Sequence, residues 1–297
     1  LIAVLGIELE ALNNVLKKTF ADKGVDILEN NIMVAKKGFE IAQRDCQDMC
    51  PWKLPPREGR FHLISVNEAI PLAAAYAGCR FMSAYPMTPS TGIITFLSRE
   101  QERLGVFTEQ AEDEIAAINM AIGAGYAGAR SMTATSGGGF ALMVEGISLA
   151  GMTETPLVIV LAQRPGPATG LPTRTGQEDL ELVLGAGHGE FPVAVLAPGS
   201  LKQAFGLTAR AFWLAEKHQV PVFVITDQSI MDSYYPASEL DLDGVLTERF
   251  LVDAGEGYRR YSLEGEPPSP MAVPGSGPGL VCLDSDEHDE SGHITED

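Results

Sequence analysis

Two stretches constrain the fold more than anything else in the chain: "PLVIVLAQ" at 156–163 and "VPVFVITD" at 220–227. Each is short, rich in β-branched residues and apolar at successive positions, so both of its faces must be covered. Strands of that kind belong in a sheet sandwiched between helices. The surrounding sequence supplies them. From about residue 62, helical and strand patterns alternate. "NEAIPLAAAYAG" reads as helix, "CRFMSAY" as strand, "STGIITFLSREQERLG" as helix and "VFTEQ" as a short strand. "AEDEIAAINMAIGAGYAG" is then helical and "RSMTAT" a strand, followed by a glycine turn and the helix "FALMVEGISLAGMTE". After "PLVIVLAQ" come the strand "PVAVLAP", the helix "LKQAFGLTARAFWLAEKH" and the strand "VPVFVITD". This alternation predicts an α/β fold: a mostly parallel sheet with helices on both faces, over 62–236.

The flanks read differently. Leu9, Leu12, Leu16 and Phe20 recur at helical spacing, which predicts a helix over 8–20 ended by Gly24, and a second helix over 29–43. Residues 46–61, "CQDMCPWKLPPREGRF", form a proline- and charge-rich linker. Beyond Pro236 periodicity is lost, and 237–297 is expected to be an extended loop and an acidic segment. Both ends read as cut from a longer polypeptide, with a C-terminal domain expected beyond 297.

Composition excludes several classes. The formal net charge is −19 and basic tracts are absent, so nucleic acid and anionic membrane are poor partners. No apolar run approaches the ~18 residues of a membrane span. Four cysteines in 297 residues do not make a disulfide framework, which points to the cytoplasm. Cys46 and Cys50 lack a second Cys/His pair at zinc spacing and read as free thiols. Gly123–Gly128, "GAGYAG", matches the dinucleotide pattern in reversed context: a helix precedes it and a strand follows. Close packing of a helix end explains it better.

The chemistry concentrates where strands end. "YPMTPST" fixes Thr88 between Pro86 and Pro89, whose rings restrict the backbone on both sides. Glu114 is the last charge before an apolar helix; it is either a solvated first-turn acid or a partly buried carboxyl suited to proton exchange. "TSGGGF" has strand-to-helix polarity, so Ser136 and Gly137 mark either a tight turn or a place for an anion or a polar ring edge. Arg164 closes "PLVIVLAQ" where ligands bind in open α/β sheets, as a surface cation or a fork for a carboxylate. Thr169, Thr173 and Thr175 add hydroxyls in the loop that follows. His188, within "GAGHGEFP", is a candidate ligand contact; His62 and His218 read as structural or exposed, and His288 and His293 as members of a solvated acidic tail.

In order and spacing, "YPMTPST", "EQAEDEIAAINMAIGAGYAG", "ATSGGGFALM" and "QRPGPATGLPTRTGQEDL" resemble the α subunit of 2-oxoacid:ferredoxin oxidoreductases, in the 2-oxoglutarate branch. "NEAI", "GEFP", "TDQSIMDS" and "DEHDESGHITED" fit as well. The resemblance implies that 62–236 holds the aminopyrimidine of thiamine diphosphate. It implies that 1–45 is the tail of a fused γ-type domain. A β subunit would hold the diphosphate, Mg²⁺ and a [4Fe-4S] cluster; ferredoxin would take electrons and coenzyme A the acyl group. Matched position by position, Glu114 falls on the glutamate that bonds the aminopyrimidine, Arg164 on the arginine for the oxoacid carboxylate, and Thr88 and Thr173 on substrate-contacting threonines. Ser136 and Gly137 fall in the cofactor loop. The implied reaction is oxidative decarboxylation of a 2-oxoacid, 2-oxoglutarate first, with pyruvate and branched-chain oxoacids as rivals. A non-catalytic scaffold of the same fold is the alternative from a different class. The sequence departs from the pattern at Gly138, where the family usually writes Pro, and at Gly176, where it commonly writes Glu.

Overall fold

The computed structural model describes residues 1–46, 49–55, 59 and 61–296. They fall into two units, 1–60 and 61–297. The first consists of α1 (Ile2–Leu5), α2 (Leu9–Phe20), a 3₁₀ turn (Ala21–Lys23) and α3 (Val25–Asp45). The second expected helix therefore starts four residues early, directly after Gly24, whose φ of 106° is open to glycine. Residues 47–48, 56–58 and 60 of the linker lie outside the described residues; Cys46 and Cys50 are free thiols.

The second unit runs β1 (His62–Ser65), α4 (Val66–Tyr76), β2 (Cys79–Ala84), α5 (Thr91–Leu104), β3 (Phe107–Gln110), α6 (Glu114–Tyr126) and β4 (Arg130–Thr135). It continues through α7 (Gly137–Leu142), α8 (Val144–Met152), β5 (Leu157–Gln163), α9 (Leu180–Leu184), β6 (Ala194–Leu196) and α10 (Leu201–His218). It closes with β7 (Pro221–Asp227), α11 (Gln228–Asp232), β8 (Tyr234–Ala237), β9 (Leu251–Val252) and β10 (Met271–Ala272). Six strands form one parallel sheet in the order β3-β2-β4-β5-β7-β6.

Every residue of β4, β5 and β7 is buried, as their apolar sequences require. Alternation then assigns the two faces. Val158, Val160, Val222 and Val224 join the core under α4, α5 and α10. Ile159, Leu161, Phe223 and Ile225 join the core under α6, α7 and α8. The helix expected as one piece over 140–154 is two, α7 beginning at Gly137 and α8 at Val144. β1 and β8 pair antiparallel outside the main sheet, a contact between ends of the domain that no local pattern announces.

A buried ion pair pins the segment after β8 to this core. Arg130, at the start of β4, donates from Nε to Glu216 Oε2 at 2.9 Å, and both side chains are almost wholly buried. Glu216 also accepts from Arg249 Nε and from the Phe250 backbone N–H. The end of the chain folds back rather than standing free. His288 stacks on Tyr261, with centroids 3.7 Å apart, and His288 and Ile294 form a β-bridge. In "GAGYAG", α6 ends and Gly125 lies against Pro156 O; a Cβ there would sit 2.9 Å from that oxygen. Close approach, not nucleotide binding, is the reason for a glycine at that position.

Candidate functional site at the carboxyl edge of the sheet

β2 and β4 are neighbours, and the chain leaves β2 toward β3 on one side but leaves β4 toward β5 on the other. Such a reversal opens a crevice beyond the carboxyl ends of the strands. Four of the expected residues sit there: Thr88 after β2, Glu114 after β3, Ser136 after β4 and Arg164 after β5.

Glu114 is the first residue of α6, and Asp113 is the cap, its carboxylate accepting from Ala116 N at 2.7 Å. Glu109 and Glu112 are exposed, whereas Glu114 is only 3% exposed. The solvated-acid reading of Glu114 is thereby excluded. Its Oε1 is buried with no partner among the described residues. Burial, seconded by the Asp113 charge, holds the Glu114 carboxyl above the ordinary carboxylate range, against the opposing pull of its own backbone N–H and of Arg164.

The glycines of α7 are explained by what surrounds them. A Cβ on Gly139 would collide with Glu114 Oε1 and Thr135 Oγ1. One on Gly137 would fall 2.5 Å from Asp179 Oδ1. Gly138 is open, with Ala168 O nearest at 3.5 Å. The first turn of α7 is thus held between two carboxyl groups, and only its middle residue is free to vary. Burial also raises Asp179 above the usual carboxylate range, helped by Glu178 and opposed by Arg164. Ser136 precedes the turn with its hydroxyl fully buried and without a hydrogen-bond partner among the described residues.

Arg164 is 7% exposed, so the surface-arginine reading fails. Its Nη1 reaches past β4 and donates to Thr88 O at 2.8 Å. Its Nε is buried without a partner among the described residues. The stiff "PMTP" loop therefore presents a carbonyl to the guanidinium. Thr88 itself is half-buried, and among the described residues its hydroxyl has no hydrogen-bond partner. Thr173 is exposed, and Arg174 Nη1 donates to its carbonyl. Among the described residues no hydrogen bond joins the Thr173 hydroxyl to Arg164.

His188 lies elsewhere. It is exposed and lines a groove of ≈ 1080 Å³ with His218, Val220 and Pro221, at the amino ends of the strands. Three groups at the carboxyl edge escaped the sequence reading: Asp179, Gln163, whose Oε1 accepts from Asp179 N at 3.0 Å, and Asp227, which accepts from Gln177 Nε2 at 2.6 Å. The glycine pair around Gly138 is the one sequence signal that pointed toward Asp179.

Residues 72–297 match the family described as pyruvate flavodoxin/ferredoxin oxidoreductase, thiamine diP-binding. The chain belongs to this family. The α subunit of 2-oxoacid:ferredoxin oxidoreductase 1 from Sulfurisphaera tokodaii is 42% identical over 282 residues, covering 88% of this chain and 45% of that protein. The 2-oxoglutarate synthase subunit KorA from Methanocaldococcus jannaschii is 46% identical over 164 residues, covering 55% of this chain and 45% of its own length. The solved 2-oxoglutarate:ferredoxin oxidoreductase from Magnetococcus marinus, with 2-oxoglutarate, coenzyme A and succinyl-CoA bound, superposes with a TM-score of 0.90 at 34% identity. That superposition covers 100% of this chain and 52% of the other. The chain thus spans about half the length of the relatives it matches. Family membership agrees with the parallel α/β sheet and the crevice at its carboxyl edge. Among the described residues no helix is long and apolar enough to cross a membrane, and no group of three or more His, Cys, Asp or Glu is arranged to hold a metal.

Proposed function

We propose that this chain is the ring-binding half of a thiamine-diphosphate-dependent 2-oxoacid:ferredoxin oxidoreductase, acting on 2-oxoglutarate together with a β subunit. The observation that carries the proposal is a pair of buried residues at one edge of the sheet, each with an atom that has no hydrogen-bond partner among the described residues: Glu114 Oε1 and Arg164 Nε. A buried polar atom without a hydrogen bond is costly and persists where a ligand completes it.

The residues fit the cofactor. The missing side chain of Gly139 makes room for Glu114 Oε1, whose open hydrogen-bonding capacity suits a ring nitrogen, and the raised proton affinity of this carboxyl suits it to share a proton there. Ser136 and Gly137 border the same turn. When bound, thiamine diphosphate supplies the electron sink for decarboxylation. The protein's part is to hold the ring through Glu114 and to keep water from that contact by burial. Arg164 takes the carboxylate of the oxoacid, with Nη1 already steadied by Thr88 O and Nε free to donate. Thr88 and Thr173 offer hydroxyls to the substrate, and the exposed Arg174 is a cation for a second carboxylate. Mg²⁺ and a [4Fe-4S] cluster are assigned to the β subunit, with ferredoxin as electron acceptor and coenzyme A as acyl acceptor. The KorA relatives and the solved 2-oxoglutarate enzyme support the choice of substrate.

The test uses the full-length protein reconstituted with its β subunit. Glu114→Gln should lower kcat for oxoacid-dependent, CoA-dependent viologen reduction by roughly 100-fold or more, as expected for loss of an acid–base group. Full activity in that variant would refute the role of Glu114. Absence of oxoacid activity in the wild-type complex would favour the scaffold reading.

A further inference from the structure

Residues 164–178 connect Arg164 to the region of α9, and the loop is wound around a single residue, Pro165. Leu171 N donates to Pro165 O at 3.0 Å. Gly170, at φ 56°, packs so tightly on Pro165 O that a Cβ would collide with it. A Cβ on Gly176 would sit only 2.9 Å from Pro165 N, so any side chain there would force this close-packed loop to shift. The loop is then fastened at its exit, where Gln177 Nε2 donates to Asp227 Oδ2 at 2.6 Å, across to the end of β7. Asp227 is 3% exposed, and its other oxygen accepts from Ile230 N at 3.1 Å, so one carboxylate both starts α11 and holds the loop. A second tie, Asp179 N to Gln163 Oε1, closes the base beside Arg164.

We infer that Gln177 and Asp227 form a latch that fixes the loop over the carboxyl edge and thereby sets the position of Arg164 for oxoacid capture. Both are positioning residues and neither touches substrate. The coupling runs through Pro165, which adjoins Arg164 and carries the contacts of Gly170, Leu171 and Gly176. A hydrogen bond from an amide to a buried carboxylate is strong enough to hold a glycine-rich loop, and releasing it frees the peptide bond after Arg174 to enter a protease. The inference rests on the proposed function for its kinetic consequence but not for the latch itself.

The experiment compares wild type, Gln177→Glu, and Gln177→Glu combined with Asp227→Asn, in the reconstituted enzyme. The single change sets two carboxylates against each other. The double change restores a donor and an acceptor in reversed order, and the new amide at position 227 can still cap α11 through its side-chain oxygen. Limited trypsin digestion, followed by mass spectrometry of the cut between Arg174 and Thr175, should show about tenfold faster cleavage for Gln177→Glu and recovery to within about threefold in the double variant. KM for the oxoacid should rise about tenfold in the single variant, by more than kcat falls, and recover in parallel. Unchanged cleavage in Gln177→Glu, or no recovery in the double variant, would overturn the latch. If the wild-type complex lacks oxoacid activity, the proposed function fails while the cleavage arm still decides the latch.

Discussion

Replacing Gly139 by alanine, with Gly138→Ala beside it, probes the architecture of the site most directly. In the helix of an ordinary protein either change would stabilise, because alanine restricts the unfolded chain; the gain is about 0.4–1 kcal/mol. Gly138 has the space for that gain, with its nearest neighbour at 3.5 Å. At Gly139 the new methyl collides with Glu114 Oε1 and Thr135 Oγ1, both buried side chains with little room to move. Overpacking of that kind costs about 1–3 kcal/mol. The two variants should therefore differ by about 1.4–4 kcal/mol, or roughly 3–16 °C in melting temperature for a domain of this size. Thermal unfolding of the α subunit by circular dichroism measures it. Combining Gly139→Ala with Thr135→Ala removes one of the obstructing groups and should recover a coupling of about 0.5–3 kcal/mol. Equal melting temperatures for Gly138→Ala and Gly139→Ala would show that Glu114 does not press on this turn, and the geometry assigned to the ring site would fall with it.

Glu114 also makes stability depend on pH in a defined direction. Its folded-state pKa is raised, chiefly by burial, so the native protein keeps a proton that the unfolded chain releases above the ordinary carboxylate pKa near ~4.3. Stability is lost as pH rises from there through the folded value, and Glu114→Gln does not share that loss. Urea midpoints of the two proteins should converge near pH 4 and separate in favour of the variant toward neutrality; parallel curves would contradict the shift. At the opposite edge, Glu216→Ala strands the buried Arg130 guanidinium. Its expected cost is about 3–5 kcal/mol, seen as a fall of roughly 6–20 °C in melting temperature, and a change under 1 °C would show that water and the backbone carbonyls around Arg130 compensate its charge without the carboxylate.

The sequence by itself determined the architecture of this protein. Period-two and period-3.6 patterns are local, and runs such as "PLVIVLAQ" admit one environment, so a covered parallel sheet and the strand ends carrying Thr88, Glu114, Ser136 and Arg164 were legible. Helix ends were less so: α6 begins at Glu114 because Asp113 caps it, while the acids before it suggested an earlier start. Tertiary structure decided everything that joins distant residues. Arg164 meets Thr88 across 76 positions, Gln177 meets Asp227 across 50, and Arg130 meets Glu216 across 86. No periodicity encodes such pairs, because they depend on which strand lies beside which. Tertiary structure also separated His188 from the crevice and Glu114 from solvent. Even the three glycines of α7 were identical as letters. Only the positions of Glu114 and Asp179 around that turn show that two of them are required by lack of space and one is not.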